Sequence, residues 1–228
     1  MNATQVANPV VLVERRDAVG RLIINRPPLN ILDIATIREL RAQLEAVLGD
    51  PAVRLVEVRG AGEKAFSAGA EIRDHFPDRA PEMLREFHSL IRAAFDSRCP
   101  TVAVVKGPCL GGGMELAIAC DFIVASRDAR FGQPEIKVGA FPPVAAALLP
   151  RLMPEKKALE MILTGESISA EQAAHWGMVN RVAEVGQLGA AVNEFRMATR
   201  LEPDDPSYRE HYIEALGRFE DRQTAKKK

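Results

Sequence analysis

Cysteine is scarce in this chain, and its scarcity excludes two architectures. Three occur in 228 residues, Cys99, Cys109 and Cys120, each among apolar or small neighbours. An odd count without metal-ligand spacing argues against both a disulfide framework and a zinc site. Small buried packing is the expected role, and no metal is expected. An excess of one charge is missing as well: 30 basic and 31 acidic side chains leave a formal net charge of −1. Such a chain carries no basic field for wrapping nucleic acid, and Lys226-Lys227-Lys228 reads as a solvated tail. No run approaches the roughly 18 to 20 apolar residues that a membrane span needs. Met1 to Pro9 is polar and lacks the apolar centre of a secretion signal. The expectation is a cytoplasmic protein with neither nucleic acid nor membrane as partner. What is present is ordinary for a globular domain: 47% hydrophobic and 27% charged residues, enough for one sizeable core.

The pattern of apolar residues predicts strands alternating with helices. Val10 to Glu14 and Arg21 to Asn25 read as a hairpin around Asp17-Ala18-Val19-Gly20. Ile34 to Leu48 carries Ile37, Leu40, Leu44 and Leu48 at helical spacing, and Met83 to Phe95 is a second amphipathic helix. Leu55 to Val58, Thr101 to Val105 and Asp121 to Ser126 read as strands, with Arg130-Phe131-Gly132 beginning another. Met114 to Cys120 reads as a helix that starts directly after three glycines. Glycines at strand-to-helix junctions favour an α/β fold. Beyond Val182 the character changes. Glu194 to Leu201 and Tyr208 to Phe219 read as two helices split by Pro203-Asp204-Asp205-Pro206. The expected division is residues 1–182 as the main domain and 183–228 as a helical tail.

Two glutamates stand out, each closing a glycine-bearing loop. Glu115 follows Gly111-Gly112-Gly113-Met114, and Glu135 follows Phe131-Gly132-Gln133-Pro134, with the apolar stretch Leu116 to Ala125 between them. A carboxylate taken out of water costs several kcal/mol unless it is paired or neutralised. Two in succession beside glycine-rich backbone point to general acid and base work. The glycine run has no Gly-Lys-Ser/Thr after it and does not match the dinucleotide fingerprint. At a helix start it can instead offer free N–H groups to an oxyanion, or serve only close packing. Ala65-Phe66-Ser67-Ala68-Gly69-Ala70-Glu71-Ile72 is a second small-residue loop, able to bring backbone close to a ligand. If Ala68 and Gly112 point their N–H groups at one spot, they form a two-donor oxyanion hole.

These loops together resemble the crotonase superfamily. The resemblance rests on residues 65–72, on Gly-Gly-Gly-Met-Glu-Leu-Ala-Ile-Ala-Cys-Asp at 111–121 and on Phe-Gly-Gln-Pro-Glu-Ile at 131–136. Leu163-Thr164-Gly165-Glu166 and Gly177-Met178-Val179-Asn180-Arg181 extend it. It implies a crotonase-like core of repeated ββα units and a coenzyme A thioester as substrate, with no further cofactor. It also implies a homotrimer or dimer of trimers. Residue by residue, it assigns Ala68 and Gly112 to the thioester oxygen and Glu115 and Glu135 to a catalytic water. Ala70, Glu71 and Ile72 fall to the adenine end of the coenzyme; Phe141 reads either as a wall of the acyl pocket or as plain core. Pro143 stands where the common hydratases have a glycine whose N–H helps hold that water, and proline has none. The run Phe141-Pro142-Pro143-Val144-Ala145-Ala146 is similar to the branch that hydrates cyclohexa-1,5-diene-1-carbonyl-CoA.

Hydration of an α,β-unsaturated acyl-CoA is therefore the expected activity. Double-bond isomerisation and coenzyme binding without turnover stand beside it as alternatives. Asp121 is expected to make a strand-start hydrogen bond, His75 and His88 to be wall or surface groups, His175 to pack with Trp176 at a helix end, and Arg73 and Lys106 to be solvated.

Overall fold

The computed structural model describes residues 9–193, and the two helices expected beyond Glu194 lie outside them. The first unit is a hairpin and a helix. β1 (Val11–Arg16) and β2 (Val19–Ile24) pair antiparallel across Asp17 and Ala18, with Asp17 in the left-handed region at φ 54°. α1 (Ile34–Leu48) has the expected bounds. Asp33 starts it by accepting the Thr36 N–H at 2.8 Å, and Ile37, Leu40, Leu44 and Val47 form its buried stripe.

Later units repeat the plan. β3 (Leu55–Gly60) leads to α2 (Ala80–Phe95), which begins a turn before the expected Met83 because Pro81 fits a helix's first turn. β4 (Thr101–Val105), β5 (Pro108–Leu110) and α3 (Gly112–Ile118) follow. Next come β6 (Phe122–Ser126), β7 (Arg130–Gly132) and α4 (Pro143–Leu152). α5 (Glu155–Thr164), β8 (Ile168–Ser169), α6 (Ala170–His175) and β9 (Arg181–Ala183) complete the named elements. The main sheet runs β1-β2-β3-β4-β6-β9, parallel after the first hairpin. β5, β7 and β8 form a second sheet, and a parallel bridge between Ser67 and Cys109 extends it. After the first hairpin, strands of successive units divide between the two sheets, the crotonase-like architecture that the resemblance implied.

Strand periodicity divides the core in two. Ala103 and Val105 face the main cluster with α1, α2 and α3, while Val102 and Val104 face a smaller one with Leu55 and Val124. Residues 184–193, after β9, pack on this second face, where Leu188 and Val192 are buried. Glu57 is buried there too, and its Oε2 accepts from Arg21 Nε at 2.9 Å and Arg59 at 2.8 Å. Asp121 ties β6 to β4 by accepting the Thr101 N–H and hydroxyl, each at 2.8 Å. The three cysteines are buried and free.

Asn30 holds the loops together. Wholly buried and in the left-handed region (φ 52°), it donates to the carbonyls of Ala61 and Ala65 and accepts the Arg26 N–H. Asn30→Ala orphans all three groups, each worth roughly 1–3 kcal/mol when buried. The variant is expected to lose about 3 kcal/mol in urea unfolding at an unchanged slope.

Candidate active site

Glu115 lies in α3, one turn after the glycines, and its side chain is almost wholly buried. The start of α4 faces it. Ala145 donates its N–H to Glu115 Oε1 at 2.8 Å, and Val144 adds a second backbone bond. N–H groups in a helix's first turn have no internal partner, and the helix dipole favours an anion there. Burial nevertheless dominates. It raises the carboxyl from 4.5 to about 7, against the two N–H bonds and with further help from the charge of Glu135.

Pro143 has a structural reason at this point. It is the first residue of α4, a position whose N–H would lie idle within the helix. The next two N–H groups, of Val144 and Ala145, go to Glu115.

Glu135 sits in the 3₁₀ turn Pro134–Val138, half-buried. Desolvation raises its carboxyl above the usual range, opposed by its own backbone N–H and by the charge of His75. Gly111 closes one side. A Cβ there would stand 2.7 Å from Glu135 Oε1, and the residue's φ of 51° also demands glycine. Gln133, wholly buried, meets both Glu135 oxygens from another side. His75 is held by a contact of its Nδ1 with the Glu71 carbonyl at 3.0 Å.

The oxyanion donors need a correction. Ala68 is not one of them, because its N–H is spent on the Leu29 carbonyl at 2.9 Å. At the next residue the backbone turns over. The Gly69 N–H donates to Ser67 Oγ at 3.2 Å, and Gly69 takes a φ of 106°. Leu32 then accepts the Glu71 N–H. Ala70 N–H lies between these bonds, and no carbonyl among the described residues takes it. A Cβ on Gly112 would lie 3.4 Å from Ala70 N, so the two peptides are neighbours. Gly112 opens α3, and its N–H has no partner inside the helix. Ala70 and Gly112 are the available pair.

The remaining expectations divide. Glu71 uses its N–H on Leu32 and its carboxylate on the Arg73 N–H, while Ile72 is largely exposed. Phe141 is 68% exposed, so the described chain does not enclose it as a pocket wall. Lys106 is paired with Glu63 and is not simply solvated. Sequence reasoning passed over Gln133 and Gly111 and gave Ala70 a different task. No sequence signal separates Ala70 from Ala68; the bond from Ala68 to Leu29 does.

These features agree with what the chain resembles. The enoyl-CoA hydratase/isomerase family matches residues 14–207. A cyclohexa-1,5-dienecarbonyl-CoA hydratase of Thauera aromatica is 37% identical, over 79% of this chain and 70% of its own length. A crotonyl-CoA hydratase of Syntrophomonas wolfei is 35% identical, over 84% and 78% respectively. Among solved structures, an enoyl-CoA hydratase of Geobacillus kaustophilus superposes with a TM-score of 0.82 at 34% identity, covering 93% of this chain and 83% of that one. The chain belongs to the enoyl-CoA hydratase/isomerase family, with the crotonase fold. Within that family it is a carbon–oxygen lyase of the enoyl-CoA hydratase type.

Two outcomes are expected of this geometry. Gly112→Pro deletes one free N–H at a helix position that accepts proline. Turnover should fall roughly 10²- to 10³-fold while the fold survives, as read by kinetics and circular dichroism. Glu115→Gln bears on stability. With a folded value near 7 against 4.5, Glu115 favours the folded state below pH 4.5, and that contribution is lost as pH rises through 7. The variant should match the wild type near about pH 4 and exceed it by about 3 kcal/mol above about pH 8 in urea titrations.

Proposed function

We propose that the protein adds water reversibly across the double bond of an α,β-unsaturated acyl-CoA. The observation that carries this reading is the pair of carboxyls, Glu115 and Glu135, in unlike surroundings beside the free N–H groups of Ala70 and Gly112. Hydration needs a base for the water, an acid for the α carbon and a place for charge on the thioester oxygen. Glu115, facing two backbone N–H groups, suits the base. Its carboxylate takes a proton from a water whose oxygen bonds to the β carbon. The π electrons move to the thioester oxygen, where Ala70 and Gly112 donate. Glu135, raised by desolvation and protonated at the start, gives its proton to the α carbon as the carbonyl re-forms, and the proton taken by Glu115 then passes through solvent to restore Glu135. Coenzyme A enters as part of the substrate, and the chemistry calls for no other cofactor.

A cyclic dienoyl-CoA is the sharpest substrate candidate. The Phe141-Pro142-Pro143 run supports it, as does similarity to the Thauera aromatica protein that carries such a name. Phe141, Val138 and Leu163 are each at least 60% exposed, and burying such apolar groups favours the trimeric assembly we infer. A cytoplasmic location fits the three free, buried cysteines.

The test is a parallel assay with crotonyl-CoA and cyclohexa-1,5-diene-1-carbonyl-CoA, products identified by mass. One water gained, with at least tenfold higher kcat/KM on the ring substrate, is expected. A change of absorbance at constant mass would instead indicate isomerisation. Coenzyme binding without turnover of either would indicate a non-catalytic role. Glu115→Gln and Glu135→Gln should each lower kcat about 10²-fold or more.

A further inference from the structure

We propose that Gln133 is the positioning residue of Glu135: a neutral amide that holds this carboxyl in both protonation states it passes through during turnover. The inference rests on the hydration reading, in which Glu135 gives up a proton in one direction and takes it back in the other.

The geometry is specific. Gln133 is wholly buried, and its side-chain amide faces the Glu135 carboxyl and not solvent. With its nitrogen toward the carboxylate, it donates to Oε1 at 3.1 Å and to Oε2 at 3.0 Å. With its oxygen toward an ionised carboxylate, it would set acceptor against acceptor. Once Glu135 is protonated the balance reverses, because its O–H can donate to the amide oxygen. Glutamine carries both functions on one rotating group, whereas lysine or arginine offers only donors and an ionised glutamate only acceptors. Buried polar atoms that lose their partners are expensive, so the amide has reason to follow the proton.

The backbone limits where this amide can be. Gln133 precedes Pro134, which disfavours the helical region for it, and it is extended at φ −120° and ψ 81°. Pro134 then opens the turn that carries Glu135. Gly111 stands against Oε1 on another side, so the carboxyl is held between an amide and a bare Cα. Two other titratable groups act on Glu135: Glu115, whose charge disfavours a second one, and His75, whose charge favours it. Lys137 lies on the same turn but pairs with Glu166. Among the described residues, Gln133 is the side chain that contacts both Glu135 oxygens without bringing charge, beside the residue's own backbone N–H.

The test compares wild type with Gln133→Met, which keeps the shape and removes both hydrogen-bonding functions. It has two readouts: kinetics on crotonyl-CoA, and titration of Glu135 by ¹³C NMR of carboxyl-labelled glutamate, assigned with Glu135→Gln. The expected result is a fall in kcat of at least tenfold with KM within about twofold. The Glu135 titration should move to higher pH, because its ionised form has lost two donors. Gln133→Glu, which keeps the size and brings a charge, should move that titration up further, and it serves if the methionine variant fails to fold. An unchanged kcat and an unchanged Glu135 titration in a folded variant would overturn the proposal. The NMR arm needs no turnover, so a wild type that hydrated nothing would overturn the hydration reading and leave the amide contact still measurable.

Discussion

The structure depends on one arrangement, a carboxylate buried at the start of a helix. Glu115 could not be kept so far from water without the N–H groups of Val144 and Ala145, which α4 leaves unpaired in its first turn. The same contact fixes where α4 lies relative to α3, and so how the fourth ββα unit closes on the third. The balance is deliberate in physical terms. Two backbone donors and a helix dipole favour the charge, burial and Glu135 oppose it, and the result is a carboxyl near neutrality.

A second chain of bonds sets the donors opposite. Asn30 grips the loop at Ala61 and Ala65, and its carbonyl accepts the Ser67 hydroxyl at 2.8 Å. Ser67 in turn takes the Gly69 N–H, which leaves the Ala70 N–H turned away from that bond. Gly113 completes the fit, since a Cβ there would stand 2.6 Å from that of Ser67. The small residues of the two loops are thus accounted for by contact between backbones, not by flexibility. The proposed oxyanion donors are thus placed by bonds within the chain itself, the condition under which such donors act most strongly.

Much of this was legible in the sequence. The 3.6-residue spacing of Ile37, Leu40 and Leu44 yielded α1 with correct bounds, and the three loops named the fold. Three features were not legible, each for its own reason. Prolines at 142, 143 and 150 disguise α4 as a loop, although Pro143 at the first helical position is compatible with a helix. Ala68 and Ala70 are the same residue two places apart, and only the bond from Ala68 to Leu29 tells which N–H is spent. Gln133 is a polar residue whose importance comes from facing Glu135, a relation that composition and periodicity do not encode.

The central claim is that Glu115 and Glu135 divide the elements of one water between the β and α carbons of an enoyl thioester. The most direct measurement is turnover of crotonyl-CoA in water labelled with both ¹⁸O and deuterium, with the product mapped by mass spectrometry and NMR. The account requires one ¹⁸O on the β carbon and one deuterium on the α carbon, gained together. Deuterium on the α carbon without oxygen on the β carbon would contradict it, and would show proton movement without hydration.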